Sequence, residues 1–584
     1  MQELENIEEP PKKHPSARGH RRVLIAVAAL GLATIGAAIY VIPYRLLNDT
    51  GNSFYTFGYV GDEYLYAQRL QPLIPGTTRA NVINGIGDPG VWSQFYLEDL
   101  CRAILDLSGL DVVTFMWLWR LVFPVVLFLS FYCLVAVTLP RPHRFWTMPF
   151  RLAAVGASVA LLHGLYDMVT QFPPLQGWIQ RIPTNIEFPL ALLMAAASVA
   201  LIVRPTPWRA ALLGICGVAM IYLRLYTAIP WGLATAVFLL FVGLSRQVPW
   251  KLIALAAIVV AVGLIPWLLI QRYNSSFDVY QQMFKRYFVD VEYRAHPYWD
   301  RHLGFAVVLG LLAWLTPGWR ALIGAWAVTL PILAFGTGLL PIRAELLWFD
   351  RYGVFYLIAT ITAGLLCLRT HAETWKGWRG FQRGSFASYS LSGVALAGAL
   401  FTAWNNVSYD FDKYPLGPLP FIRLDLRHVP AYVWMAKNTP ADALVLVDDG
   451  SDWAAVREKG EEYMARYWER WWKTRDDLFQ IVACRRSVYT NRMHQVAISD
   501  ELLTDAGVIF LGTFGLNQDT PAEAYAKALR NITPDYIFWK KTAPVPRGYG
   551  RALKPFCDVV HFDEHCEIWR VNKELLLSTI RAQP

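Results

Sequence analysis

Charge is the first thing this sequence is short of. Asp, Glu, Lys and Arg make up 17% of its 584 residues, against about 25% in an average soluble domain. Apolar residues reach 55% and mean hydropathy is +0.30, so lipid explains the composition more simply than one large soluble core. There is no CxxC pair, no His/Cys cluster at zinc spacing, no Gly-rich phosphate loop and no GxSxG elbow. No basic stripe with interleaved aromatics lies in a soluble element, which argues against nucleic-acid binding. Internal repeats and clear mid-span charges are missing too, features that a transporter with paired broken helices would carry. Cysteines are few. Cys133, Cys216 and Cys367 fall in apolar runs and read as packing residues. Cys484, Cys557 and Cys566 belong to the C-terminal part, where a disulfide is open to a domain in an oxidising compartment, with no pairing assigned.

What is abundant points the same way. The chain holds 24 Trp and 28 Tyr, side chains that favour the headgroup level of a bilayer. Residues 1–22 are polar and end in a basic cluster, Lys12, Lys13, Arg18, Arg21 and Arg22, and read as a cytoplasmic tail. Val23 to Ile42 carries no charge and is long enough to cross about 30 Å of hydrocarbon. Further apolar runs lie near 112–139, 150–166, 187–203, 209–223, 229–245, 251–270, 303–316, 320–340, 353–368 and 385–404. Hydropathy therefore predicts a polytopic α-helical membrane protein with about eleven spans over residues 23–404. With the N-terminus inside, the segments 140–149, 204–208, 246–251, 317–320 and 369–384 are cytoplasmic. All are basic and nearly free of acid, as the positive-inside rule requires. An odd count then puts residues 405–584 outside.

The outside segments 43–111 and 271–302 are long and mix acids, arginines and aromatics. Loops of that length in a compact fold are usually functional. Trp92, Phe95, Tyr96, Leu100, Ile104 and Leu107 line one face of a helix opposite Glu98, Asp99, Arg102 and Asp106. That pattern predicts an amphipathic helix in the membrane interface, the alternative being a helix packed on the soluble domain. After Trp404, strand-like runs at Leu444–Val447, Tyr536–Trp539, Asp558–His561 and Glu567–Val571 alternate with helical stretches at Asp452–Trp472 and Ala522–Leu529. A C-terminal α/β domain follows, one that caps a membrane site or binds an acceptor.

The most informative segment runs Gly61-Asp62-Glu63-Tyr64-Leu65-Tyr66-Ala67-Gln68-Arg69-Leu70. Two adjacent carboxylates open a helical stretch beyond the first predicted span. In isolation Asp62 is equally an N-cap, with Glu63 favoured by the helix dipole. The segment and its setting resemble the first extracytoplasmic loop of GT-C superfamily membrane glycosyltransferases, of the protein O-mannosyltransferase and lipid A aminoarabinose transferase type. The resemblance implies a polyprenyl-phosphate or polyprenyl-diphosphate sugar donor, and a lipid, glycan or protein acceptor. It makes Asp62 the catalytic carboxylate and Glu63 its neighbour. An acceptor hydroxyl attacking an anomeric carbon needs a base for its proton. A phosphate leaving group is already a stable anion and needs no general acid, unlike the leaving oxygen in glycoside hydrolysis. One acid plus cations suffices, and inversion is the natural outcome.

Outside arginines run against the positive-inside bias. Arg224, in Tyr222-Leu223-Arg224-Leu225-Tyr226, and Arg351, in Phe349-Asp350-Arg351-Tyr352, are the first candidates for holding donor phosphate. Arg343 is the third, and interfacial snorkelling is the alternative for each. Asp167 is a second-acid candidate, otherwise a polar span end. His296 and His302 are acceptor-side candidates in the loop 271–302. They could join a carboxylate around a metal or simply be solvated, and the expectation is no metal and no cofactor. The resulting expectation is an inverting transferase in a bacterial inner membrane, N-terminus cytoplasmic and C-terminal domain periplasmic. A transporter or flippase of lipid-linked glycans, and an inactive GT-C-like scaffold, are the alternatives.

Overall fold

The computed structural model describes residue 70 and residues 96–110, 112–139, 151–158 in part, 186–278, 280–281, 299–339, 349–374, 426–448, 478–488, 500–514, 521–541 and 550–582. Up to Thr374 the described elements are all helices. The elements are α1 (Tyr96–Ser108), α2 (Val112–Thr138), α3 (Glu187–Val203), α4 (Pro207–Leu223), α5 (Leu225–Leu244), α6 (Trp250–Asn274), α7 (Trp299–Leu315), α8 (Arg320–Leu339) and α9 (Phe349–Thr374).

The expected count of about eleven spans is corrected here. Among the described residues three helical segments are long and apolar enough to cross a membrane: Thr227–Leu244, Trp250–Asn274 and Val354–His371. A fourth arises if Leu303–Leu315 and Pro317–Leu333, bent by 119°, form one span. Length explains much of the difference. α3 and α4 have 17 residues each, about 25 Å of helix against about 30 Å of hydrocarbon. In α2 (27 residues) the part whose side chains are described without interruption is Val125–Thr138. The runs 23–42 and 385–404, and most of 150–166, lie outside the described residues. Hydropathy detects apolar runs but does not measure where their helices start, bend or stop.

α6 is the most lipid-compatible of these helices. Only 11% of its apolar window is buried, and Ile258, Val262, Ile265, Leu268 and Leu269 are exposed. Its other face lies close to α4. A Cβ on Gly214 would stand 2.8 Å from Val259 Cβ, and one on Gly263 would stand 2.6 Å from Val218 Cγ2. Small residues let two helices approach where no hydrophobic effect drives them together. Pro266 removes one backbone donor of α6. Beside it the Tyr222 hydroxyl enters the ladder, donating to Gly263 O (3.0 Å) and accepting from Trp267 N–H (3.1 Å). Gly263→Leu is expected to cost about 1–3 kcal/mol by overpacking and to lower the melting temperature in detergent. An unchanged melting temperature would show that α4 and α6 can separate freely.

The helix ends are chemically unequal. Arg204, Arg209, Arg246, Lys251, Arg320 and Arg369 gather at the turns that join α3 to α4, α5 to α6 and α7 to α8, and at the end of α9. Several stitch neighbouring elements. Arg209 donates to Ala200 O (2.7 Å), and Arg369 donates to Thr138 O (3.1 Å) while lying over the Trp319 ring. Cations suit these C-terminal carbonyls. Arg246 takes a left-handed φ of 55°. There Gln247 N–H bonds Val242 O and Arg246 N–H bonds Gly243 O, closing α5 in a Schellman motif usually reserved for glycine.

The C-terminal part holds α10 (Val429–Asn438), β1 (Leu444–Val447), α11 (Leu478–Ala483), β2 (Arg486–Ser487), α12 (Asp500–Phe514), α13 (Ala522–Asn531), β3 (Tyr536–Lys540), β4 (Cys557–Phe562), β5 (Cys566–Val571) and α14 (Lys573–Ala582). The strands form one mixed sheet in the order β2-β1-β3-β5-β4, parallel across β2-β1-β3 and antiparallel across β3-β5-β4. β1, β3, β4 and β5 coincide with the four apolar runs of the sequence. Leu446, Ile537, Trp539 and Trp569 meet α12, α13 and α14 on one face. Val445, Phe538, Cys566 and Ile568 meet α10 and α11 on the other.

That second face is not closed by its own helices. Leu97, Cys101 and Leu105 of α1, with Val112, Phe115 and Met116 of α2, complete the same apolar cluster. The expected helix is described over Tyr96–Ser108, with Trp92 and Phe95 outside the described residues, and its packing is that of the alternative reading. Leu97, Cys101 and Leu105 are buried, whereas Leu100, Ile104 and Leu107 are exposed. The apolar arc is wide enough to serve two surfaces, and the face toward Leu97 packs on the C-terminal sheet domain. Glu98, expected on the polar face, is buried as well.

Candidate functional site

The site is built where α4 gives way to α5. Arg224 interrupts the helix with extended backbone (φ −152°, ψ 74°), so it both ends α4 and starts α5. Its N–H still bonds Met220 O (2.7 Å), and its carbonyl accepts from Ala228 N–H (2.9 Å). Across from it α3 opens on Glu187, an acid suited to a helix N-terminus. Glu187 Oε2 accepts from Arg224 Nε (3.3 Å) and from Thr227 Oγ1 (2.8 Å). The carboxylate is buried, and the arginine side chain is 12% exposed.

A buried ion pair is a weak source of stability, because desolvation consumes most of the Coulomb gain. Its worth here is positional. The bond to Glu187 uses the Nε–H, one of five donors that a guanidinium carries, and it fixes the plane of the fork. Glu187 was not singled out in the sequence. Its signal was an acid opening an apolar run at Ile186-Glu187-Phe188, which reads equally as an ordinary helix start.

Aromatic side chains stand beside the break. Tyr96 of α1 meets Tyr222 edge-on at 4.9 Å between ring centroids. Burial pushes the Tyr96 phenol above its ordinary value, with Tyr222, Asp99 and Tyr280 adding to the shift. It remains a hydrogen-bond donor at neutral pH. Ile186 and Leu223, flanking Glu187 and Arg224, pack against the apolar cluster shared by α1, α2 and the sheet. Leu70, which closes the Asp62–Glu63 segment, is fully buried in that same cluster, and its carbonyl accepts from Arg102 Nη1 (3.1 Å).

The other expected site residues are placed as follows. Asp62, Glu63, Asp167, His296 and Arg343 lie outside the described residues. Arg351 falls in the first turn of α9 and His302 near the start of α7, with side chains outside the described ones. Of the expected site residues, Arg224 is the one whose side chain is described, and Glu187 joins it to Thr227. Cys484, Cys557 and Cys566 are free thiols. Cys557 pairs in register with Val571, whereas Cys566 pairs with Lys540, so the two stand at opposite ends of the β4–β5 hairpin. Among the described residues one group of metal-ligating types gathers in space, His561, Asp563 and Cys566. Compared with protein-family models and with curated proteins, the chain matches none.

Proposed function

We propose that the chain is an inverting membrane glycosyltransferase, moving a sugar from a polyprenyl-phosphate-linked donor to a lipid, glycan or protein acceptor. The observation that carries this reading is a shared anchorage. Leu70, eight positions after Asp62, and the residues flanking the Arg224–Glu187 break are packed on one apolar cluster beneath the C-terminal sheet. In the proposed reaction Asp62 accepts the proton of the acceptor hydroxyl as its oxygen attacks the anomeric carbon. The bond from that carbon to the phosphate oxygen breaks, and the electron pair leaves with the phosphate. Arg224 and Arg351, with Arg343 in third place, take up the departing charge through paired N–H donors. Glu63 supports the base, and no cofactor is required.

Apolar helices with lipid-compatible surfaces support a membrane location. Arg204 and Arg209 lie at the ends of α3 and α4 opposite Ile186 and Leu223, which pack on the sheet-side cluster, and this supports a cytoplasmic assignment for those ends. The sheet then faces the extracytoplasmic side, in a bacterial inner membrane by the resemblance drawn above.

Mass spectrometry of lipid and glycan fractions from cells with and without the protein tests this directly. One missing sugar linkage is expected, and unchanged fractions would overturn the reading. Arg351→Ala is expected to weaken donor affinity about tenfold or more, the worth of one charged hydrogen bond, with acceptor affinity unchanged. Equal losses for both ligands would remove Arg351 from the phosphate site.

A further inference from the structure

The β4–β5 hairpin closes through His561-Phe562-Asp563-Glu564-His565-Cys566. Its ladder is irregular. Val559 pairs with Trp569, but His561, not Val560, pairs with Ile568. One extra residue in β4 forms a bulge, and bulges re-aim the side chains that follow them. Here the bulge sets His561 opposite Ile568, on the sheet face that also carries Cys566. In a regular ladder His561 would fall opposite Glu567 and on the other face.

The turn then brings three donor atoms together. His561 Nε2 is 3.2 Å from Asp563 Oδ2, and Cys566 Sγ is 3.4 Å from the same oxygen. All three ligand atoms lie within 4.8 Å of one another. The geometry points to a divalent transition-metal site, of the zinc class, held by His561 Nε2, Asp563 Oδ2 and Cys566 Sγ with water in the fourth position.

Zinc bonds of about 2.0–2.3 Å to N, O and S give tetrahedral edges of about 3.2–3.6 Å. The two edges that share Asp563 already have that length. The remaining edge, from His561 to Cys566, closes by about 1 Å at most through side-chain rotation. A thiolate, an imidazole and one carboxylate together select zinc-like ions over magnesium or calcium, which prefer all-oxygen shells.

The supporting shell is in place. Asp563 Oδ1 accepts from the backbone N–H groups of His565 and Cys566, each at 2.7 Å, which fixes the carboxylate plane. Trp434 of α10 stacks on the His561 ring at 4.8 Å between centroids. The nearby Lys541 ammonium is taken up by Asp563 O, by the Phe562 ring face and by Glu567. Cys566 is fully buried, while His561 and Asp563 are 22% and 30% exposed, so an ion can enter from the solvent side. Binding releases one proton, from the Cys566 thiol to water. His561 would bind through Nε2 as the tautomer that carries its proton on Nδ1.

Purified full-length protein in detergent, stripped with chelator, is titrated with cobalt(II) and then zinc(II). One equivalent of cobalt with a thiolate charge-transfer band is expected, discharged by zinc. Cys566→Ser should abolish the band, and His561→Asn, at a partly exposed position, should weaken cobalt binding at least tenfold. Absence of a thiolate band in the wild-type protein overturns the site, as does a band that survives Cys566→Ser. These readouts do not depend on sugar transfer, so the site and the transferase reading stand or fall separately.

Discussion

Asp62→Asn is expected to reduce sugar transfer at least 100-fold while leaving the detergent melting temperature unchanged. Removing a positioned general base costs about 10²–10⁴ in rate. In an inverting attack the phosphate leaves from the opposite face of the sugar, out of reach of the nucleophile's proton. Asparagine keeps the size and the N-cap oxygen of aspartate, so a purely capping role predicts only a small change in stability and no change in turnover. Glu63→Gln serves as the neighbour control, with a smaller loss expected. Full turnover by the Asp62→Asn protein, measured with purified donor and acceptor, would remove the carboxylate from the mechanism.

Glu187→Ala should be strongly destabilising. It leaves the Arg224 guanidinium buried at the α4–α5 break without its carboxylate, and it strips Thr227 of its acceptor. Breaking one side of a buried pair costs about 3–5 kcal/mol. Glu187→Leu combined with Arg224→Leu should recover most of that loss, because the second change removes the stranded charge. Thermal unfolding distinguishes the cases. Equal melting temperatures for Glu187→Ala and the double variant would mean that the pair is hydrated and of little weight. Donor affinity gives an independent reading, since the double variant should fold and still bind donor poorly if Arg224 contacts phosphate.

The four longer strands were legible because each is a short run of β-branched and aromatic residues bounded by turns, as in Leu444–Val447 and Tyr536–Lys540. Such local signals survive any tertiary context. The membrane part was less legible. Apolar runs near 303–316 and 320–340 did become helices, yet whether they make two spans or one depends on the 119° bend, which no hydropathy window contains. α1 was found by its period, and the packing of Leu97, Cys101 and Leu105 on the C-terminal domain is one of the two readings that the period left open. Leu97, Cys101 and Leu105 and Leu100, Ile104 and Leu107 are adjacent stripes of one wide apolar arc, and periodicity alone does not choose between them. Glu187 and the His561-Asp563-Cys566 group were invisible for a related reason. The former is defined by a partner 37 positions away, and the latter needs the bulge at Val559/His561 to turn His561 onto the right face.

The apolar cluster that joins α1 and α2 to the sheet has a consequence for how the molecule comes apart. A fragment beginning after Trp404 would carry Tyr432, Met435, Phe538 and Ile568 with part of their cover stripped away, since Leu97, Cys101, Leu105 and Phe115 would be missing. Water would reach a greasy floor that the intact chain keeps dry, and such fragments tend to clump. The sheet domain and the helical part are thus expected to melt as one cooperative unit, each serving as the other's lid.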